Sequence, residues 1–183
     1  MISNRDCLCW GICRLAILAA VVGLLAPVTS GPALSDALAD CNEAERPAAR
    51  IAGCTSIIEA GPSSDVMAVA LMNRGIGRAT SGDLEQALTD FDSALEIAPG
   101  LIEGYYNRGN VNLDLERNED AIRDFSTVID AEPRFALGWL NRGLARERTG
   151  DREGARRDIG RALALNASLD AARRALTRLR RDP

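Results

Sequence analysis

Few kinds of reactive side chain are present in this chain. Histidine is absent, and all 22 basic residues are Arg. Without imidazole there is no Ser-His-Asp or Cys-His pair, no His general base and no His metal ligand. Without lysine there is no Schiff-base amine and no P-loop ammonium. What remains are five cysteines and 26 carboxylates. Acid pairs such as Asp90/Asp92 and Glu119/Asp120 are expected on the exposed side of helices, where carboxylates are solvated rather than poised for acid–base work. An enzyme is therefore not expected, and neither a cofactor nor a metal site is implied. The composition, 46% apolar and 26% charged with a net charge of −4, excludes a disordered tail, a collagen-like chain and a multi-span membrane protein.

The cysteines separate into two groups. Cys7, Cys9 and Cys13 lie beside Arg5 and Arg14, just before the 12-residue apolar run Leu15 to Ala26. Twelve residues fall short of the roughly 20 that a membrane-spanning helix needs. A basic flank, a short apolar run and small residues after Pro27 are the marks of a secretory signal peptide. Two cleavage points fit, after Ser30 and after Ala39. The second is preferred, which makes residues 1–39 the signal. An uncleaved N-terminal anchor is the alternative. The mature chain would be periplasmic or secreted, with no membrane span after processing. Cys41 and Cys54 then remain as a pair, and in an exported protein an even pair reads as a disulfide. Two structural free thiols are the rival reading.

A repeat organises the rest. Asn73-Arg74-Gly75 recurs as Asn107-Arg108-Gly109 and as Asn141-Arg142-Gly143, each 34 residues on. Ala87, Ala121 and Ala155 keep the same step. So do Phe91, Phe125 and Ile159, and Ala94, Val128 and Ala162. Each unit reads as two helices, A and B. Helix B carries a one-sided apolar stripe such as Leu84, Leu88, Phe91 and Leu95. Pro99 and Pro133 close two units. Glycine inside a helix costs about 1 kcal/mol against alanine, so Gly75, Gly109 and Gly143 in register imply close helix–helix approach. The alanines of helix B are the expected opposing surface.

These residues resemble the tetratricopeptide repeat family, whose unit places a large apolar residue at position 4, Gly at 8, Ala at 20, an aromatic at 24, a small residue at 27 and Pro at 32. In that register the units are Ala68–Leu101, Ile102–Phe135 and Ala136–Leu169. There are departures. Position 7 holds Arg74, Arg108 and Arg142 where the family has Leu, and position 11 holds Arg78, Asn112 and Arg146 where it has Tyr. Glu116 replaces the turn glycine of the second unit, and Ala167 the closing proline of the third. The resemblance implies an all-α, right-handed α-solenoid of about three and a half repeats plus a C-terminal capping helix. Residues 40–67 form the N-terminal half-repeat with the disulfide, 68–169 the three repeats and 170–183 the cap. Solenoid ends need caps with a polar outer face. Ala171, Ala172, Ala175, Leu176 and Leu179 would supply the buried side, with Arg173, Arg174, Arg178, Arg180 and Arg181 around it. In the half-repeat, Ile51, Cys54, Ile57 and Ile58 take the places of Leu88, Phe91, Ala94 and Leu95. A Cys41–Cys54 bond would stand in for a helix A that the half-repeat is too short to form.

The family uses the helix A face to bind peptides or proteins. By the resemblance that groove is lined by Val69, Met72, Asn73 and Ile76, then Glu103, Tyr106, Asn107 and Asn110, then Leu137, Leu140, Asn141 and Leu144. Apolar side chains beside an asparagine ladder suit a peptide. The competing reading makes the apolar residues inter-repeat core. Clamping of a C-terminal carboxylate is not expected, because Glu103 is the one charge among these positions. Charge is uneven elsewhere: residues 83–132 hold thirteen acids against three Arg, and residues 134–183 hold thirteen Arg against six acids. That separation favours head-to-tail self-association or an anionic partner, or is ordinary solvation. Nucleic acid is not expected, given the net negative charge and no aromatic-basic interleaving. The leading expectation is an exported adaptor for a protein or peptide. The alternative is a structural subunit of an envelope assembly joined through its charged ends.

Overall fold

The computed structural model describes residues 32–43 and 45–181. The expected signal up to residue 31, with Cys7, Cys9 and Cys13, lies outside the described residues. Among the described residues every regular element is a helix, and the chain divides into two compact units after Gly100.

The first unit contains α1 (Pro32–Cys41), α2 (Pro47–Glu59), α3 (Ser64–Ser81) and α4 (Leu84–Ile97). Consecutive helices pack as antiparallel neighbours, and α1 also touches α3. The stripe predicted on α4 is the buried one: Ala87, Leu88, Phe91, Ala94 and Leu95. Between α3 and α4, Gly82 adopts the left-handed conformation at φ +89°, which glycine takes without a Cβ penalty. The half-repeat does have a helix A. α1 occupies the place the sequence reading left without a helix, and it packs Ala37 and Cys41 against Cys54, Ile57 and Ala70. Its ten residues are too few to hold a helix alone, so tertiary packing forms it.

The second unit contains α5 (Ile102–Asp114), α6 (Asn118–Ala131), α7 (Ala136–Arg148), α8 (Arg152–Leu165) and α9 (Asp170–Arg181). Its core has two parts. One is built on Tyr106, Phe125 and Val128, the other on Leu140, Ile159, Ala172, Ala175 and Leu179. α9 packs on α8 through those last residues and keeps its five arginines exposed. Glu116 sits in the turn between α5 and α6 at φ +59°, the left-handed geometry that Gly82 and Gly150 supply in the other two repeats. The third repeat ends without proline. Asn166 closes it instead, its Oδ1 accepting from the Ser168 backbone N–H at 3.0 Å and from the Ser168 hydroxyl at 2.7 Å.

The register glycines face the aromatic position more closely than the alanines. A Cβ on Gly75 would stand 2.8 Å from Phe91 Cε1, one on Gly109 2.8 Å from Phe125 Cε1, and one on Gly143 2.7 Å from Ile159 Cγ1. Ala87, Ala121 and Ala155 are fully buried beside these contacts.

Candidate functional site

Helix A of each repeat has two working faces, and the structure assigns them different chemistry. The face toward helix B is closed by charge pairing. Arg74 Nε and Nη2 donate to Asp90 Oδ2 and Oδ1 at 3.0 and 2.7 Å. Arg78 Nη1 donates to the same carboxylate at 2.7 Å. One repeat on, Arg108 grips Asp124 from Nε and Nη2, and Asn112 Nδ2 adds a bond at 3.1 Å. Arg142 binds Asp158 at 2.8 and 2.9 Å, and Arg146 joins at 2.7 Å. The three aspartates are 2–3% exposed. These are bidentate, charge-assisted pairs in low dielectric, geometrically specific and costly to break.

This corrects the expectation that Asp90 lies on the exposed side of its helix; Asp92 does lie exposed. It also accounts for the arginine at position 7. The signal was present in the sequence as a fixed spacing, since Arg74, Arg108 and Arg142 each precede an Asp by 16 residues. Set against the family's leucine, an arginine at position 7 is only a departure; its partner 16 residues on gives it a role. The residues at position 4 support the arginines from the other side. Arg108 lies over the Tyr105 ring at 5.4 Å and Arg142 over the Trp139 ring at 4.9 Å. Each buried carboxylate accepts from two side chains of its own helix A. No group of three or more described His, Cys, Asp or Glu residues is placed to hold a metal ion.

The other face of helix A is the expected groove. In the first unit Val69, Met72, Asn73 and Ile76 of α3 are all partly exposed. Asn73 Nδ2 donates to Asn42 Oδ1 at 3.3 Å, beside the end of α1. In the second unit the twelve-residue expectation needs correcting. Tyr106 is 2% exposed, edge-on to Phe125 and Phe135 with ring centres 6.0 and 5.1 Å away. Leu140 is also 2% exposed, inside the cluster of Ile159 and Leu179. Asn141 is buried and donates to Asn110 Oδ1 at 2.8 Å and to the Tyr106 hydroxyl at 3.4 Å. These three residues build the groove wall rather than its surface. Contacts from neighbouring helices cover these three, whereas Met72, Asn73 and Asn107 at the same positions 5 and 6 stay partly exposed. Glu103, Asn107, Asn110, Leu137 and Leu144 keep partial exposure.

Charge enters at the ends of this strip. Asp114 closes α5, where partial desolvation of its carboxyl raises its pKa and Arg148 acts in the opposite sense. Arg148 Nη1 donates to the Leu113 carbonyl. Glu147 is held by Arg178 of α9. This pair joins the capping helix α9 to α7. No described helix is long and apolar enough to cross a membrane.

The Cys41–Cys54 disulfide is formed, with the two Cα atoms 4.6 Å apart. It is wholly buried and ties α1 onto α2. Near it, Arg50 of α2 is 8% exposed and its Nε has no hydrogen-bond partner. Burial lowers its pKa, with Glu43 pulling the other way.

The tetratricopeptide repeat family matches residues 102–135, the second repeat. No curated protein matches the chain in sequence. Solved structures do match in fold. MamA from Desulfovibrio magneticus RS-1, from its residue 41 to its end, superposes with a TM-score of 0.75 at 22% identity, over 83% of this chain and 87% of that one. The Arabidopsis OM64 TPR domain gives 0.64 at 21% identity, over 66% and 100%. The second TPR domain of human RPAP3, solved in complex with an HSP70 peptide, gives 0.61 at 21% identity, over 64% and 98%. At these identities the likeness is one of fold.

Proposed function

We propose that this chain, an all-α protein with the tetratricopeptide-repeat fold, is an exported adaptor that binds a protein or peptide segment along its helix A face. The observation that carries the reading is the contrast between the two faces of helix A. Toward helix B, Arg74, Arg108 and Arg142 are taken up in pairing with buried Asp90, Asp124 and Asp158. Away from it, Asn107, Asn110, Leu137 and Leu144 remain partly exposed as a mixed amide and apolar strip. Amides can satisfy a peptide backbone while leucines take its side chains. The RPAP3 domain, which shares the fold, was solved with a peptide bound.

Export is supported by the disulfide, because such bonds persist in oxidising compartments. α1 bears on where the signal ends. A cut after Ala39 would fall inside α1 and detach buried Ala37 from the core, so cleavage after Ser30 is the better supported point. Mass spectrometry of the mature N-terminus is expected to find Gly31 first. The binding reading is tested by placing a photocrosslinking amino acid at Asn107 or Leu144, and at outward-facing Glu119 or Arg157 as the control, in the producing cell. Partner crosslinks are expected from the first pair. Crosslinks confined to the second pair would overturn the groove reading.

A further inference from the structure

We propose that the exposed face of α9 is an acid-recognising end of the groove, seating side-chain carboxylates of a partner segment whose apolar side chains rest on Leu137 and Leu144. This rests on the groove reading above and deepens it by naming the partner's chemistry.

The register of the repeats places α9 as one more helix A. Asp170 follows Ala136 by the same 34 residues that separate Ala136 from Ile102. Arg174 and Arg178 therefore hold in α9 the places that Leu140 and Leu144 hold in α7, and Arg181 holds that of Glu147. A buried leucine and a partly exposed one in α7 are thus replaced in α9 by exposed guanidinium groups. Together with Arg173 and Thr177 they line an open depression of about 400 Å³. Two of its arginines are engaged. Arg178 is bidentate to Glu147, and Arg173 binds Asp170 and the Ala167 carbonyl. Among the described residues four guanidinium groups thus meet two carboxylates, a positive excess in the depression.

The occupant follows from what surrounds that excess. α9 buries its apolar side, Ala172, Ala175 and Leu179, in the core. It has no apolar face left to insert into a lipid surface, which membrane-lying helices require. Leu137 and Leu144 pack on the cluster that α9 closes, and Arg178 bonds Glu147, one turn along α7 from Leu144, so the arginines adjoin the partly exposed leucines. A polypeptide segment offers both apolar and anionic groups at that scale. Along α9, Arg174 and Arg178 are one turn apart, about 6 Å, and Arg181 is about 10 Å from Arg174. Because Arg178 is held by Glu147, the spacing that counts is Arg174 to Arg181, and carboxylates two to four residues apart on an extended strand, about 7–13 Å, bracket it. Guanidinium forks accept such carboxylates bidentately.

The test uses the full chain and a fluorescein-labelled peptide, Leu-Ser-Leu-Ser-Glu-Ser-Glu-Ser-Glu, against the same peptide with Gln for Glu, by anisotropy. The Glu peptide is expected to bind at least tenfold tighter than the Gln peptide, and the ratio is expected to fall as salt rises from 50 to 300 mM. Arg174→Glu with Arg181→Glu should abolish the preference, and the milder Arg174→Gln with Arg181→Gln should reduce it, with helicity unchanged by circular dichroism. A preference that survives both variants overturns the proposal. So does equal binding, or no binding, of the two peptides by the unaltered chain, or capture of phosphatidylglycerol vesicles without peptide binding. Partner crosslinks from Asn107 and Leu144 would leave the groove reading standing through any of these results. Loss of those crosslinks as well would remove both.

Discussion

The hairpin α1–α2 and the three repeat hairpins solve one packing problem by different chemistry. In each repeat a glycine on helix A lets an apolar ring or branched chain of helix B come close, 16 residues later, and an Arg–Asp pair closes the contact at its side. In the first hairpin the place of Gly75 is Cys41 and the place of Phe91 is Cys54, only 13 residues later. Three residues are missing from the connection. The place of Asp90 falls to Gly53, where a Cβ would stand 2.6 Å from the Ala37 carbonyl oxygen. The place of Arg74 falls to Asp40, which turns to solvent and pairs with Arg46. The helices are drawn together backbone to backbone, leaving no room for a ring or an ion pair, and a covalent bond holds them. A short hairpin with little apolar surface gains from a crosslink what longer hairpins gain from packing.

Breaking each device separately measures the comparison. The largest effect is expected from Asp124→Ala, which strands Arg108 beside a buried cavity; removal of one partner of such a pair costs about 3–5 kcal/mol. Chemical denaturation followed by circular dichroism should show that loss, and a change below about 1 kcal/mol would mean the pair is not structural. Next is Cys41→Ser with Cys54→Ser, expected to cost about 3 kcal/mol. Hydrogen exchange should then rise first in α1, and uniform exchange would contradict a local role for the bond. Two changes are expected to stabilise. Arg50→Met removes a buried guanidinium whose Nε is unpaired, worth about 1 kcal/mol. Glu116→Gly relieves the left-handed turn residue, worth about 0.5–1 kcal/mol. Melting temperatures that fall in either variant would show that the residue has a contact of greater value than its cost.

Much of the fold was legible because a repeat states its rule several times. The alternation of helices, the buried stripe of α4 and the close approach at the glycines all follow from spacing and residue size. The position 7 arginines were legible too, but only as pairs with Asp90, Asp124 and Asp158, since a charge on an inward position has meaning only with its partner. Of the groove, Asn107, Asn110 and Leu144 keep an accessible surface. Tyr106, Leu140 and Asn141 do not, because the approach of successive helices, which no single helix encodes, decides which side of positions 5 and 6 reaches water.

The sequence by itself determined the all-α repeat class, the pairing of helices A and B and the absence of imidazole and lysine chemistry, because periodicity and composition are local properties of the chain. Only the tertiary structure decided that α1 is a helix, that Asp90, Asp124 and Asp158 are buried anchors and that α9 carries an arginine-lined depression. Those outcomes depend on distances between residues far apart in the chain, and packing sets them.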